Sequence, residues 1–159
     1  MEDMNKILEA AVWVFGALLI VLLVPRSNYR EACISFLFIQ VPTWVLGLVA
    51  VQLGLLQYPS RFLAYASGTS FTYEFFALPV VSAIYNLYYP SGKKPAWRVG
   101  YIFIFAGSLT GAEMIIEKYT DLVEYIHWHW SISLISVTVT LQCSQWFYSW
   151  FLKGRARII

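Results

Sequence analysis

The chain has 159 residues, of which 59% are hydrophobic, 18% aromatic and 13% charged, with a mean hydropathy of +0.61 and a formal net charge of +2. A soluble domain carries roughly 25% charged residues, so an ordinary soluble globule is excluded, and so small a net charge gives no sign of a nucleic-acid partner. The two cysteines, Cys33 and Cys143, form neither a CxxC pair nor a secreted disulfide framework, and read as buried free thiols.

A membrane-spanning helix needs roughly 20 mostly apolar residues, and segments that meet this recur along the whole chain. The first is 7–24, "ILEAAVWVFGALLIVLLV". It reads as a retained helix rather than a cleaved leader, because "MEDMNK" sets Glu2 and Asp3 against Lys6 and no small-residue cleavage site follows. The second is 32–56, "ACISFLFIQVPTWVLGLVAVQLGLL", with Gln40 and Pro42 inside it. The third is 71–89, "FTYEFFALPVVSAIYNLYY", with Glu74 near its start and Pro79 in its middle. Each proline frees backbone carbonyls that a neighbouring helix must satisfy, so kinks are expected. The fourth is 99–116, "VGYIFIFAGSLTGAEMII", and the fifth is 132–152, "ISLISVTVTLQCSQWFYSWFL".

The connections "PRSNYRE", "QYPSRFLAYASGTS", "PSGKKPAWR" and "EKYTDLVEYIHWHWS" are short and hold turn formers or charges. Residues 62–66 form a small apolar patch expected to lie flat at the interface. No linker, repeat or low-complexity tract interrupts the chain. The expected fold is therefore all-α: one transmembrane domain, residues 1–159, built as a bundle of five transmembrane helices.

Basic residues set the orientation. Arg26, Arg30, Lys93, Lys94, Arg98, Lys153, Arg155 and Arg157 fall on one side, against Lys6, Arg61 and Lys118 on the other. This places the N-terminus outside and the C-terminus in the cytoplasm. Trp97, Trp128, Trp130 and Trp150 fall near span ends, where an indole buries its ring and hydrates its N–H. Trp13 and Trp44 lie deeper and read as packing residues.

An ionised carboxylate at the centre of a spanning helix costs on the order of 3 kcal/mol, so depth decides which acids are informative. Glu74 and Glu113 each lie about one turn inside the outer end of a different helix. Glu117 and Glu124 stand at or beyond that boundary, as do His127 and His129. At about 100° per residue, Phe103, Ala106, Thr110, Glu113 and Glu117 share one stripe of the fourth segment, apolar at its inner end and polar at its outer end. Two readings stay open. The acids are solvated at the interface by reaching up to water. Alternatively, Glu74, Glu113 and Glu117 line an outward-facing pocket, with His127 or Arg61 as partner and the Trp128–Trp130 segment as a cap, and bind a cation or a small polar ligand.

Gly107 and Gly111 form "GSLTG", a GxxxG pattern that permits close helix approach. Ser133, Ser136, Thr140 and Ser144 form a hydroxyl stripe on the fifth segment that reads as helix packing. These faces support an alternative function, a structural or assembly subunit that docks a membrane-protein partner or a second copy of the chain. An intramembrane enzyme is the weaker third reading, because no nucleophile–base set is visible. No cofactor and no metal are expected. No lysine lies within a span to form a buried Schiff base, no histidine lies deep enough to hold a haem, and the histidine spacing matches no zinc signature.

The runs "YPSRFLAY", "YEFFALPVVSAIYNLYYP" and "EMIIEKYTDLVEYIHWHWSIS" resemble a family of small five-helix integral membrane proteins of spore-forming Gram-positive bacteria. The resemblance covers residues 58–152. The family pattern has an acid early in its third span, a proline in the middle of that span, an ExxxE pair ending the fourth and a W-x-W before the fifth; Glu74, Pro79, Glu113, Glu117, Trp128 and Trp130 match those places. Members often carry a lysine just before W-x-W, where this chain has His127. The resemblance implies fold and topology, and a bacterial cytoplasmic or spore membrane, but no chemistry.

Overall fold

The computed structural model describes residues 2–155. Arg157, one of the basic residues used above for orientation, lies outside them. Five α-helices make the fold: α1 (Glu2–Leu23), α2 (Tyr29–Gln52), α3 (Leu78–Leu87), α4 (Pro95–Tyr119) and α5 (Trp130–Arg155). A 3-10 turn, Arg26–Asn28, joins α1 to α2, and a π-helical turn, Tyr73–Ala77, runs directly into α3. Two short strands, β1 (Leu56–Gln57) and β2 (Glu124–Tyr125), pair antiparallel in the register Leu56 opposite Tyr125.

Among the described residues three helices, Asp3–Leu23, Arg26–Gln52 and Pro95–Tyr119, are long and apolar enough to cross a membrane. The chain is thus an all-α protein with the marks of a multi-pass membrane protein. The other two helices differ for readable reasons. The third helical stretch runs only from 71 to 87, with the π turn inside it, and α5 is diluted by Gln142 and Gln145 as well as its serines and threonines.

The short α3 is the axle of the bundle. Eight of its ten residues are buried, and α1, α2 and α5 all pack on it, while α4 packs along α5 and meets α3 through Tyr101 and Phe105, whose rings lie against Tyr85. The main core joins Ile39, Leu78, Tyr85, Ala106, Val137 and Leu141. Beyond it, towards the chain turn at Pro25, lies a polar layer. The Ser82 and Ser144 hydroxyls are 2.8 Å apart, and Asn86 Nδ2 donates to Ser144 at 2.8 Å and to Ser35. Small hydroxyl residues there let α2, α3 and α5 approach closely, and the bonds between them tie the helices where hydrocarbon supplies no alternative partner.

α1 leans on the π turn ahead of α3 through an aromatic contact. Trp13 stacks on Phe76 with ring centroids 4.0 Å apart. Gly16 makes room for it, because a Cβ there would stand 2.6 Å from Phe76 Cε1. Cys33 and Cys143 are free, but both are exposed on the outside of the bundle rather than buried. A thiol is apolar enough to face that surface, and the inward positions beside them belong to Ser35 and Ser144.

Candidate functional site

Pro79 begins the local argument. It has no N–H, so the carbonyl of Phe75, one turn back, loses its helical partner. The chain answers with the π turn Tyr73–Ala77. A side chain of α2 then takes the exposed carbonyl: Gln40 Nε2 donates to Phe75 O at 3.0 Å, while the Thr43 hydroxyl, which donates to Ile39 O of its own helix at 2.8 Å, stands 3.3 Å from Glu74 O. π turns inside helices recur at functional sites, and this one carries Glu74.

The Glu74 side chain is only 2% exposed. Its Oε2 accepts a hydrogen bond from Thr69 Oγ1 at 2.7 Å. Its Oε1 is buried without a hydrogen-bond partner, and lies against the bare Cα of Gly47, where a Cβ would stand only 1.8 Å away.

Glu113, on the last third of α4, is held differently. Its Oε1 accepts from Tyr125 Oη at 2.6 Å and from Ser133 Oγ at 2.7 Å, and Ser133 in turn accepts from Trp128 Nε1 at 2.6 Å. The β1–β2 pair brings Tyr125 over the end of the bundle, and the entry to α5 brings Trp128 and Ser133. The Tyr125 phenol lies outside the helices. Burial, and then its bond to Glu113, push its pKa above the ordinary value of 10.0, so it remains a donor through neutral and moderately alkaline pH. Burial also raises Tyr58, in the loop after β1.

Glu74 and Glu113 line one cavity of about 220 Å³. Its wall adds Thr43 and Gly47 of α2, the aromatic residues Tyr58, Tyr73 and Trp128, Ser133, Ser136 and Thr140 of α5, and a larger apolar surface that includes Leu46, Leu55, Leu78 and Val137. Among the described residues no lysine or arginine lines it. The hydroxyl of Tyr73 is buried without a partner. The cavity therefore combines two carboxyl groups, aromatic residues and free acceptor capacity, which is the chemistry of a site for positive charge.

The remaining candidates fall around this centre. Glu117 is half-buried near the end of α4 and does not line the cavity. His127 is exposed; its backbone N–H donates to Leu55 O at 2.8 Å, and its ring Nδ1 is 3.4 Å from Gly54 O. Trp130 is exposed and lies against His129, with ring centroids 5.3 Å apart. Gly107 and Gly111 have nothing within 4 Å of where a Cβ would be. Arg61 is engaged elsewhere: its guanidinium donates to the carbonyls of Tyr58, Ala64 and Ser67 and shapes its own loop, in which Leu63 takes a positive φ of 62°. Among the described residues no group of three His, Cys, Asp or Glu side chains is placed to hold a metal ion.

Sequence reasoning missed Gly47, Tyr58, Thr69, Tyr73 and Tyr125. Each reaches the site through tertiary contact, and no spacing pattern marks it. The nearest signal was Gln40 beside Pro42 in one apolar run and Pro79 in another. That pairing belongs to helices that repair each other's backbone. Compared with protein-family models, curated proteins and solved structures, the chain matches none.

Proposed function

We propose that this chain is a five-pass membrane protein that binds a small cation in the Glu74–Glu113 cavity, from the non-cytoplasmic side of a bacterial membrane. The sidedness rests on the basic residues that cluster at the turn after α1, at the loop after α3 and at the C-terminal end. The resemblance to five-helix proteins of spore formers agrees with that topology. One observation carries the binding reading: a carboxyl group 2% exposed, with one oxygen unpartnered, faces a cavity that holds a second carboxyl and, among the described residues, no basic side chain. An ionised carboxylate buried in that way is costly unless a positive charge joins it, and a bound cation would supply that charge.

The test uses the full chain in nanodiscs of zwitterionic lipid, with tetramethylammonium as the probe in equilibrium dialysis. Glu74→Gln and Glu113→Gln keep the side-chain shape and remove the charge. Each is expected to weaken binding by about tenfold or more, the scale of a lost charge-assisted contact. Binding that is absent in the parent protein, or unchanged in both variants, would overturn the reading.

A further inference from the structure

The two oxygens of Glu74 differ in their surroundings. Oε1 is buried without a hydrogen-bond partner, and Oε2 accepts from Thr69 Oγ1 at 2.7 Å. Thr69 is fully buried, and its hydroxyl lies 2.9 Å from Ser67 Oγ. A hydroxyl has one hydrogen to give. Thr69 gives its own to Glu74, so Ser67 is the donor to Thr69. The Thr69 N–H donates back to Ser67 Oγ at 3.2 Å and holds that hydroxyl in place. Ser67 is half-buried, and its neighbours 62–66 and Gly68 are exposed. Two hydroxyls thus connect a carboxyl that is 2% exposed to the loop surface, with each bond pointing inward.

The other hydroxyls of "SGTSFT", residues 67–72, are turned to different work. Ser70 Oγ accepts from the Tyr73 N–H at 3.3 Å, and Thr72 Oγ1 stands between Trp13 Nε1 and Glu9 Oε1, 3.3 Å from each. Arg61 holds the outer end of the Ser67–Thr69 pair, since its Nε donates to Ser67 O at 2.8 Å while the same guanidinium reaches the carbonyls of Tyr58 and Ala64.

Hydroxyls oriented in this way carry a proton without moving a heavy atom. A proton from water attaches to Ser67 Oγ, the Ser67 hydrogen passes to Thr69 Oγ1, and the Thr69 hydrogen passes to Glu74 Oε2. Each hydroxyl takes one proton and gives one. The carboxyl becomes neutral, and the file then points outward, ready to run in reverse.

The chamber has a use for this. Without a cation, an ionised Glu74 stands buried with one oxygen unpartnered, which is costly, and a proton removes that cost. A cation beside the carboxyl favours the charged form, and the proton then has to leave. The titratable groups that line the chamber with Glu74 are Glu113 of α4, Tyr73 of the π turn and Tyr58 of the loop after β1; α2 and α5 present none among the described residues. Tyr125 stands behind Glu113 as its donor, and Glu9 of α1 is engaged with Thr72 and the Phe62 N–H. Glu113 has two hydroxyl donors on one oxygen to meet its charge. Glu74 has one, and that one is the inner end of the file.

We propose that the chamber exchanges a proton for its cation: Glu74 holds the proton while the chamber is empty, releases it when the cation binds, and passes it to the non-cytoplasmic water through Thr69 and Ser67. This rests on the cavity reading above and adds to it the species that the cation replaces.

The test mixes tetramethylammonium rapidly with the full chain in weakly buffered nanodiscs of zwitterionic lipid at neutral pH and follows a pH indicator, while equilibrium dialysis measures the cation bound. One proton is expected to appear for each cation bound. Glu74→Gln, compared at equal occupancy, is expected to release none. Ser67→Val and Ser67→Thr match in size and differ by a methyl in place of the hydroxyl, and both are expected to bind the cation as the parent does. Release is expected to slow on the order of a hundredfold in Ser67→Val, the low end of what a positioned proton-transfer group contributes, and to keep the parent's rate in Ser67→Thr. Cation binding with no proton released, or release that persists in Glu74→Gln, would overturn the exchange and leave the cation site standing. Rates that do not separate Ser67→Val from Ser67→Thr would overturn the hydroxyl route. Failure of tetramethylammonium to bind the parent protein would instead remove the cavity reading itself.

Discussion

Gly47 marks the tightest point of the site. The Glu74 carboxyl occupies the space where any other residue would carry a Cβ, so the glycine on α2 and the acid on the π turn define each other's position. Substituting Gly47→Ala puts a methyl 1.8 Å from Oε1. The contact cannot be met without moving the carboxyl or parting the helices. Overpacking of this kind typically costs about 1–3 kcal/mol. The expected outcome is a lowered unfolding midpoint in detergent together with weakened tetramethylammonium binding; a variant as stable and as competent as the parent would show that Glu74 is free to leave the cavity. Glu113 has a different support, since Tyr125 and Ser133 both donate to one of its oxygens. One acid is therefore pinned by close packing and the other by hydroxyl donors, and both face the same cavity.

At the scale of the helices, the bond from Gln40 to Phe75 O repairs the backbone that Pro79 breaks. Gln40→Leu leaves that carbonyl without a donor, a loss of about 1–3 kcal/mol. The two positions should be coupled. In Pro79→Ala the restored N–H takes the carbonyl back, so Gln40→Leu on that background is expected to cost clearly less, and a double-mutant cycle on thermal unfolding reads the difference. Additive effects would mean that the carbonyl finds another partner. The existence of each helix was legible in the apolar runs: 7–24 against Glu2–Leu23, 32–56 against Tyr29–Gln52, and 99–116 against Pro95–Tyr119. Helix ends were less legible, because polar residues continue a helix past its apolar stretch, as Pro95–Arg98 and Glu117–Tyr119 do on α4. The π turn was not legible as such; only the proline that requires a repair was. The β1–β2 pair, two residues on each side, is too short to leave a period in the sequence.

For the whole molecule, the loops close over the end of the bundle that holds the acids. Ser60 N–H donates to Asp121 O, Phe62 N–H donates to Glu9, and His127 N–H donates to Leu55 O. A cluster of Ala50, Leu56, Tyr58 and Val123 seals the join. The polar layer of Ser35, Ser82, Asn86 and Ser144 ties the far half, and the apolar core of Ile39, Leu78 and Leu141 lies between the two. The cost of burying an acid in hydrocarbon is what singled out Glu74 and Glu113 in the sequence. That both line one cavity depends on how α2, α3, α4 and α5 surround it, which no single helical stripe encodes. The central claim is that these two carboxyls form one site, and residue-resolved carbodiimide labelling tests it most directly. With tetramethylammonium present, modification of Glu74 and Glu113, read by mass spectrometry, is predicted to slow at both residues with a single shared midpoint. Protection of only one of them, or two independent midpoints, would contradict the account.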